Sequence, residues 1–135
     1  MTTKHLLLIL LVLSGPMTQI VGATPEQDQT LAQVAAAVQA GNAAELMKKF
    51  NAMVDLTLPG FDDSYSRVQA GQMLKDFFAQ NPVKSFTITK SGSSPDGSRY
   101  HIGTLETSKK TYRVYFIVKS AGGQDLIHQF QVQEN

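Results

Sequence analysis

Seven consecutive residues, Tyr112-Arg-Val-Tyr-Phe-Ile-Val118, limit the fold more than any other stretch. Their β-branched and aromatic side chains suit a pleated surface. An exposed antiparallel strand alternates apolar with polar. Here Tyr112, Val114, Phe116 and Val118 share one face, and Arg113, Tyr115 and Ile117 share the other. Bulk on both faces predicts a central strand with cover on each side. The longer segment Arg99 to Lys119 reads as two strands folded on a tight turn at Lys109-Lys110.

The opening residues have a different character. Lys4 and His5 precede an unbroken apolar run, Leu6 to Leu13, which Ser14-Gly15-Pro16 interrupts, and Val21-Gly22-Ala23 has the small residues of a cleavage site. Eight apolar residues give about 12 Å of helix against a hydrocarbon core of roughly 30 Å. Residues 1–23 are therefore expected to be a signal peptide, and residues 24–135 a single exported domain, periplasmic or secreted. The chain has no cysteine, which excludes disulfides, thiolate metal sites and a lipidated cysteine. Losing Lys4 lowers the twelve basic residues to eleven, matching the eleven acidic ones. Such a balance lacks the basic footprint of a nucleic-acid binder.

Three helix starts follow. Thr24-Pro-Glu-Gln27 has a capping threonine, proline at the first helical position and glutamine three residues on. Leu31, Val34, Ala35 and Val38 recur at helical spacing until Gly41. Asn42-Ala-Ala-Glu45 starts a second helix, with Leu46, Met47 and Phe50 on one face. Ser66-Arg-Val-Gln69 starts a third, with Ala70, Met73, Leu74, Phe77 and Phe78 as its stripe and Asn81-Pro82 as its end. Met53 to Leu58 alternates like a short strand, and Phe61 to Tyr65 reads as a loop. Strands are then expected at Val83–Ser91, Arg99–Thr107, Thr111–Lys119 and Asp125–Gln133. Helices first and a strand meander after them predict an α+β fold: three N-terminal helices on a curved antiparallel sheet of four main strands plus one short strand, shaped as a cone with an open mouth.

Register decides which sheet face the helices cover. A two-residue turn at Lys109-Lys110 pairs Glu106 with Arg113, Thr104 with Tyr115 and Ile102 with Ile117. An even-length turn at Gly122-Gly123 adds Leu126, His128, Phe130 and Val132 to that face. This face is assigned to the helices. The opposite one, with Leu105, Tyr112, Val114, Phe116, Val118 and Ile127, is assigned to a partner subunit.

The motifs Asn81-Pro82, Ser85-Phe86-Thr87-Ile88, Tyr100, Ile102-Gly103-Thr104-Leu105 and Tyr112-Arg113-Val114-Tyr115, in a helix-then-sheet order, resemble a known family. It is the family of small secreted bacterial proteins described only as domain of unknown function 4783, in the nuclear transport factor 2-like (cystatin-like) superfamily. The resemblance runs from about Glu26 to Glu134, with Lys109-Lys110 where relatives often place Asn-Gly. It implies a cone-shaped α+β fold, frequent homodimers, and a pocket that holds ligands in some members and catalytic groups in others. Fold kinship does not select among these uses.

Four residues are the expected ligand-binding set: Tyr100, Arg113, Tyr115 and His128. Arg113 has the planar donor fork for an anionic ligand, or else pairs with Glu106 across the strands. His128 is either a proton-transfer group or a core histidine satisfied by one hydrogen bond. The superfamily resemblance makes Asp55 a candidate base beside Tyr65, Tyr100 or Tyr115, against the reading that it faces solvent. His101 falls on the face opposite His128, and no third histidine remains after the leader, so no metal site is expected. Asp62-Asp63 lacks the ligand pattern of a calcium loop. Gly92 to Gly97 lacks the Gly-Lys-Ser/Thr ending of a phosphate cradle. No cofactor, nucleic-acid or membrane partner is expected of the mature chain. The sequence thus points to a non-enzymatic module that binds a small ligand or a protein, as a homodimer. A small isomerase or dehydratase, and a purely structural homodimer subunit, are the alternatives.

Overall fold

Side-chain caps set the helices in place. The structure, a computed structural model, describes residues 24–135, so the expected leader lies outside the described residues. Helix α1 spans Pro25–Gln39, α2 Ala43–Met47 and α3 Arg67–Gln80. Thr24 and Gln27 form a reciprocal capping box on α1, with Thr24 Oγ1 accepting from the Gln27 N–H at 3.2 Å and Gln27 Oε1 accepting from the Thr24 N–H at 2.9 Å. Asn42 Oδ1 accepts from the Glu45 N–H at 3.1 Å, and Ser66 Oγ from the Gln69 N–H at 3.2 Å. Each cap stabilises its helix by about 1 kcal/mol. Gly41, with φ at 63°, turns the chain between α1 and α2.

Six strands form one sheet: β1 Phe50–Leu58, β2 Phe61–Ser66, β3 Val83–Ser93, β4 Arg99–Thr107, β5 Thr111–Ala121 and β6 Gln124–Glu134. Their order is β2-β1-β6-β5-β4-β3, so β5 is interior to the sheet as its composition requires. Two expectations are corrected here. Phe61 to Tyr65 is not a loop but part of β2, paired antiparallel with β1. The second helix stops at Met47, and Phe50 opens β1 rather than sharing that helix's face. The sheet is also mixed, because β1 runs parallel to β6. Alternation alone does not show pairing direction.

The face assignment is reversed. The β4–β5 turn is centred on Ser108 and Lys109, with the Thr107 N–H donating to the Lys110 carbonyl at 3.0 Å. Glu106 therefore lies opposite Thr111, and Thr104 opposite Arg113. This slip moves an even number of positions and leaves the faces of β4 and β5 unchanged. The β5–β6 turn is the two-residue Gly122-Gly123, with both φ angles positive at 59° and 79°, which suits glycine in a primed hairpin turn. The change comes further along β6. Val118 pairs with Ile127 and Ile117 with Gln129, so His128 is an extra residue in a bulge. Past it Phe130 faces inward opposite Phe116, and Val132 opposite Val114.

The face against the helices is accordingly Leu105, Tyr112, Val114, Phe116, Val118, Ile127, Phe130 and Val132, all buried. The alternate residues Arg113, Tyr115 and Ile117 point outward and are exposed or half-buried. On the inner side Phe50, Phe130 and Phe116 form a continuous aromatic line, with ring centroids 5.9 Å apart at each step and each residue 0% exposed. Phe86 closes over Gly103, where an added Cβ would sit 2.6 Å from the ring and 2.8 Å from the Thr87 carbonyl oxygen. Gln39 ties α1 to the outermost strand: its Oε1 accepts from the Phe86 N–H at 2.7 Å and its Nε2 donates to the Lys84 carbonyl at 3.3 Å. That bond occupies edge groups which would otherwise be open to another chain.

Inward Phe130 has a measurable consequence. Phe130→Ala should lower the free energy of unfolding in urea by about 3–5 kcal/mol, while Gln131→Ala, one residue on and facing outward, should change it by about 0.5 kcal/mol or less. Equal losses at the two positions would contradict the register.

Candidate functional site

The residues singled out by sequence meet on the outer face of the sheet, away from the helices. Register lays them in three transverse rows. Ser64, Asp55, Gln129, Ile117 and Tyr100 form one row, and Thr57, Gln131, Tyr115 and Ile102 the next. Gln133, Arg113 and Thr104 form the third. Tyr100 and Tyr115 stack across the first two rows with centroids 6.5 Å apart and planes at 25°. The Tyr100 ring lies directly over Gly92, its partner on β3, where an added Cβ would push the ring aside. Aromatic cover of a cross-strand glycine fixes the ring's position.

Arg113 is exposed and in no ion pair among the described residues. Its expected partner Glu106 instead accepts from the Ser85 hydroxyl at 3.1 Å. The premise that Arg113, Tyr115, Tyr100 and His128 line the mouth of a helix-covered cavity is therefore corrected. The bulge at His128 keeps Phe130 and Val132 on the inner face with Val114 and Phe116, which fill that space, while Tyr100, Arg113 and Tyr115 lie on the opposite face.

Asp55 is exposed, and its carboxylate accepts a hydrogen bond from the Ser64 hydroxyl. His128, in the bulge next to Gln129, has a buried Nε2 without a hydrogen-bond partner. Burial lowers its pKa, the positive charge of Lys119 lowers it further, and Asp55 opposes both. The two candidate bases thus lie near each other on one open face, with no closed chamber around them. Tyr65, on β2, packs against the core instead.

His101 is on the inner face, 3% exposed, with its ring centroid 5.0 Å from that of Phe116. Its Nδ1 and Ser91 Oγ are joined by a hydrogen bond of 2.6 Å. Burial, aided by the positive charge of Arg99, lowers its pKa from 6.5 to about 4, so the ring is neutral at physiological pH. Among the described residues no three histidine, aspartate or glutamate side chains gather as metal ligands, and no helix is long and apolar enough to cross a membrane.

Sequence reasoning passed over a second place. Between α3 and the β1–β2 hairpin the surface dips into a cleft that includes Phe61 and Lys109. Its one signal was an aromatic residue in a stretch otherwise polar enough to read as a loop.

Comparison with known proteins agrees with this architecture. The family model described as Domain of unknown function (DUF4783) matches residues 31–133. A DUF4783 family protein from Bacteroides ovatus is 30% identical, with a TM-score of 0.72 over 77% of this chain and 94% of that one. An NTF2-like protein of unknown function from Cytophaga hutchinsonii shares the fold at 11% identity, with a TM-score of 0.57 over 80% and 88% of the two chains. A Catenulispora acidiphila protein with a ketosteroid isomerase-like fold, solved in complex with trimethylamine, does so at 18% identity, with a TM-score of 0.61 over 84% and 88%. No curated protein matches the chain.

The buried histidine makes stability depend on pH. The unfolded chain takes up a proton near pH 6.5, whereas the folded chain resists until about pH 4. The stability from the neutral ring is fully present above the first value and is lost as pH falls toward the second, by up to about 3 kcal/mol. Urea unfolding at pH 7 and at about pH 4.5 should therefore show a larger acid loss for the native chain than for His101→Gln. Parallel losses would mean the ring is not held neutral.

Proposed function

We propose, from the premise that the chain belongs to the DUF4783 family, that it is an exported, non-enzymatic interaction module acting as a homodimer through the outer face of its sheet. One observation carries this reading. Tyr100, Ile102, Tyr115 and Ile117 are half-buried on the sheet face opposite the helices. Covering each large apolar side chain contributes about 1 kcal/mol or more. The surrounding polar groups, Arg113, Thr104, Gln129 and Gln131, make a rim that tolerates water in the monomer and hydrogen-bonds in a complex.

Self-association suits this face because it carries both hydrogen-bond donors and acceptors, such as Arg113, Gln129 and Gln131. An isologous pair would bring the Tyr100–Tyr115 stack of one copy against that of the other. The interface expected from sequence, Tyr112 to Val118 by their even-numbered side chains, is replaced by its reverse. Export rests on the leader reading of residues 1–23.

The isomerase or dehydratase reading stands second. Asp55 lies close enough to His128 for its charge to oppose the lowering of the His128 pKa, but general acid–base catalysis needs both within reach of one bound substrate. The inner side, where a substrate would be enclosed, is filled by Phe50, Phe116 and Phe130. Small-ligand binding at the outer face by Tyr100, Arg113, Tyr115 and His128 would compete with dimerisation for the same side chains.

Sedimentation equilibrium at micromolar concentration tests the proposal. The mature chain should sediment as a dimer, and Ile117→Asp should weaken the association at least about tenfold, the equivalent of about 1.4 kcal/mol, without changing the far-UV circular dichroism spectrum. A native chain that stays monomeric would end this reading.

A further inference from the structure

The cleft between α3 and the β1–β2 hairpin is a built cavity of about 380 Å³. This falls within the range of roughly 300–1,000 Å³ typical of small-molecule sites. Its floor is rigid. Phe77 and Tyr112 meet edge to face with centroids 5.2 Å apart. The Tyr112 hydroxyl donates to Asn81 Oδ1 at 3.0 Å, and Asn81 Nδ2 donates to the Phe77 carbonyl at 3.0 Å. Both polar groups beneath the cleft are thus partnered, and the Phe77 and Tyr112 rings form its base. Half-buried Met73 lines it further, and Phe61 stands at its wall 53% exposed.

Two charges complete the rim. Asp76 comes from α3 and Lys109 from the β4–β5 turn. Neither takes part in an ion pair among the described residues. A ligand with a lone carboxylate would suit Lys109 and be repelled by Asp76, and a lone amine would meet the opposite conflict. A ligand carrying both charges satisfies both sides.

We propose that this cleft binds a small zwitterion with an aromatic or branched apolar body, the chemistry of a free apolar amino acid. Its carboxylate rests on Lys109, its ammonium on Asp76, and its side chain lies against Phe61, Met73 and the Phe77–Tyr112 floor. The site is separate from the outer sheet face, so its occupancy does not depend on dimerisation. Sequence order hides it, since its walls come from three distant segments.

Titration of the ¹⁵N-labelled mature chain with L-phenylalanine, L-leucine, 3-phenylpropanoate and phenethylamine tests the assignment by NMR. Both amino acids should shift the amides of Phe61, Met73 and Lys109, and each single-charge analogue should bind about tenfold more weakly or worse. Asp76→Asn and Lys109→Gln alter exposed side chains, so both variants should keep the native spectrum elsewhere while losing affinity about tenfold. The proposal is overturned by an absence of shifts at millimolar amino acid, by equal affinity for the single-charge analogues, or by undiminished binding in both variants.

Discussion

The extra residue at His128 is the constraint on which the inner face depends. Between the Gly122-Gly123 turn and the bulge, β6 presents Ile127 to the helices, and beyond it Phe130 and Val132. Were His128 paired in the ladder instead of bulged, alternation would send Phe130 and Val132 to the outside and Gln129 and Gln131 into the core. Burying two amides there without partners would cost several kcal/mol, on top of losing the aromatic contacts with Phe50 and Phe116. Bulges sharpen the local twist of a strand, and register shifts also occur in the β1–β6 and β3–β4 pairs.

A curved sheet under helices can enclose a chamber or a packed core. Here the transverse row Leu56, Phe130, Phe116 and His101 fills the concave side from β1 across to β4. His101 joins that row as a neutral ring held by Ser91, so a polar side chain serves there as packing. The groups with chemical potential are pushed to the outer face and to the crevice beside α3. Sharing a fold does not carry a chamber along, because a few large side chains are enough to occupy it.

Much of the fold was legible residue by residue. Thr24, Asn42 and Ser66 each cap the helix their sequence context announces, Gly41 and Asn81-Pro82 end helices where expected, and β4 begins and ends as read. These signals are local and need no knowledge of distant partners. What failed was non-local. Phe61-Asp-Asp-Ser-Tyr65 looks like a loop because its acidic residues disfavour strands, yet pairing with β1 and the Thr57 hydroxyl donated to Asp62 hold it extended. The parallel β1–β6 contact joins segments some seventy residues apart in the chain. The candidate residues were recognised as a group sharing a face, and Tyr100, Arg113 and Tyr115 do share one. Whether that face was inner or outer turned on one inserted residue, which has no compositional signature.

The position of β6 has a further consequence for how such a chain comes into being. It follows β5 in the chain, yet it sits between β1 and β5 and supplies Ile127, Phe130 and Val132 to the centre of the core. Until it arrives, the β1–β2 hairpin and the β3–β4–β5 meander have no strand between them, and Phe50 and Phe116 lack the ring of Phe130 that joins them. The two halves of the sheet cannot close over a common core until β6 is in place.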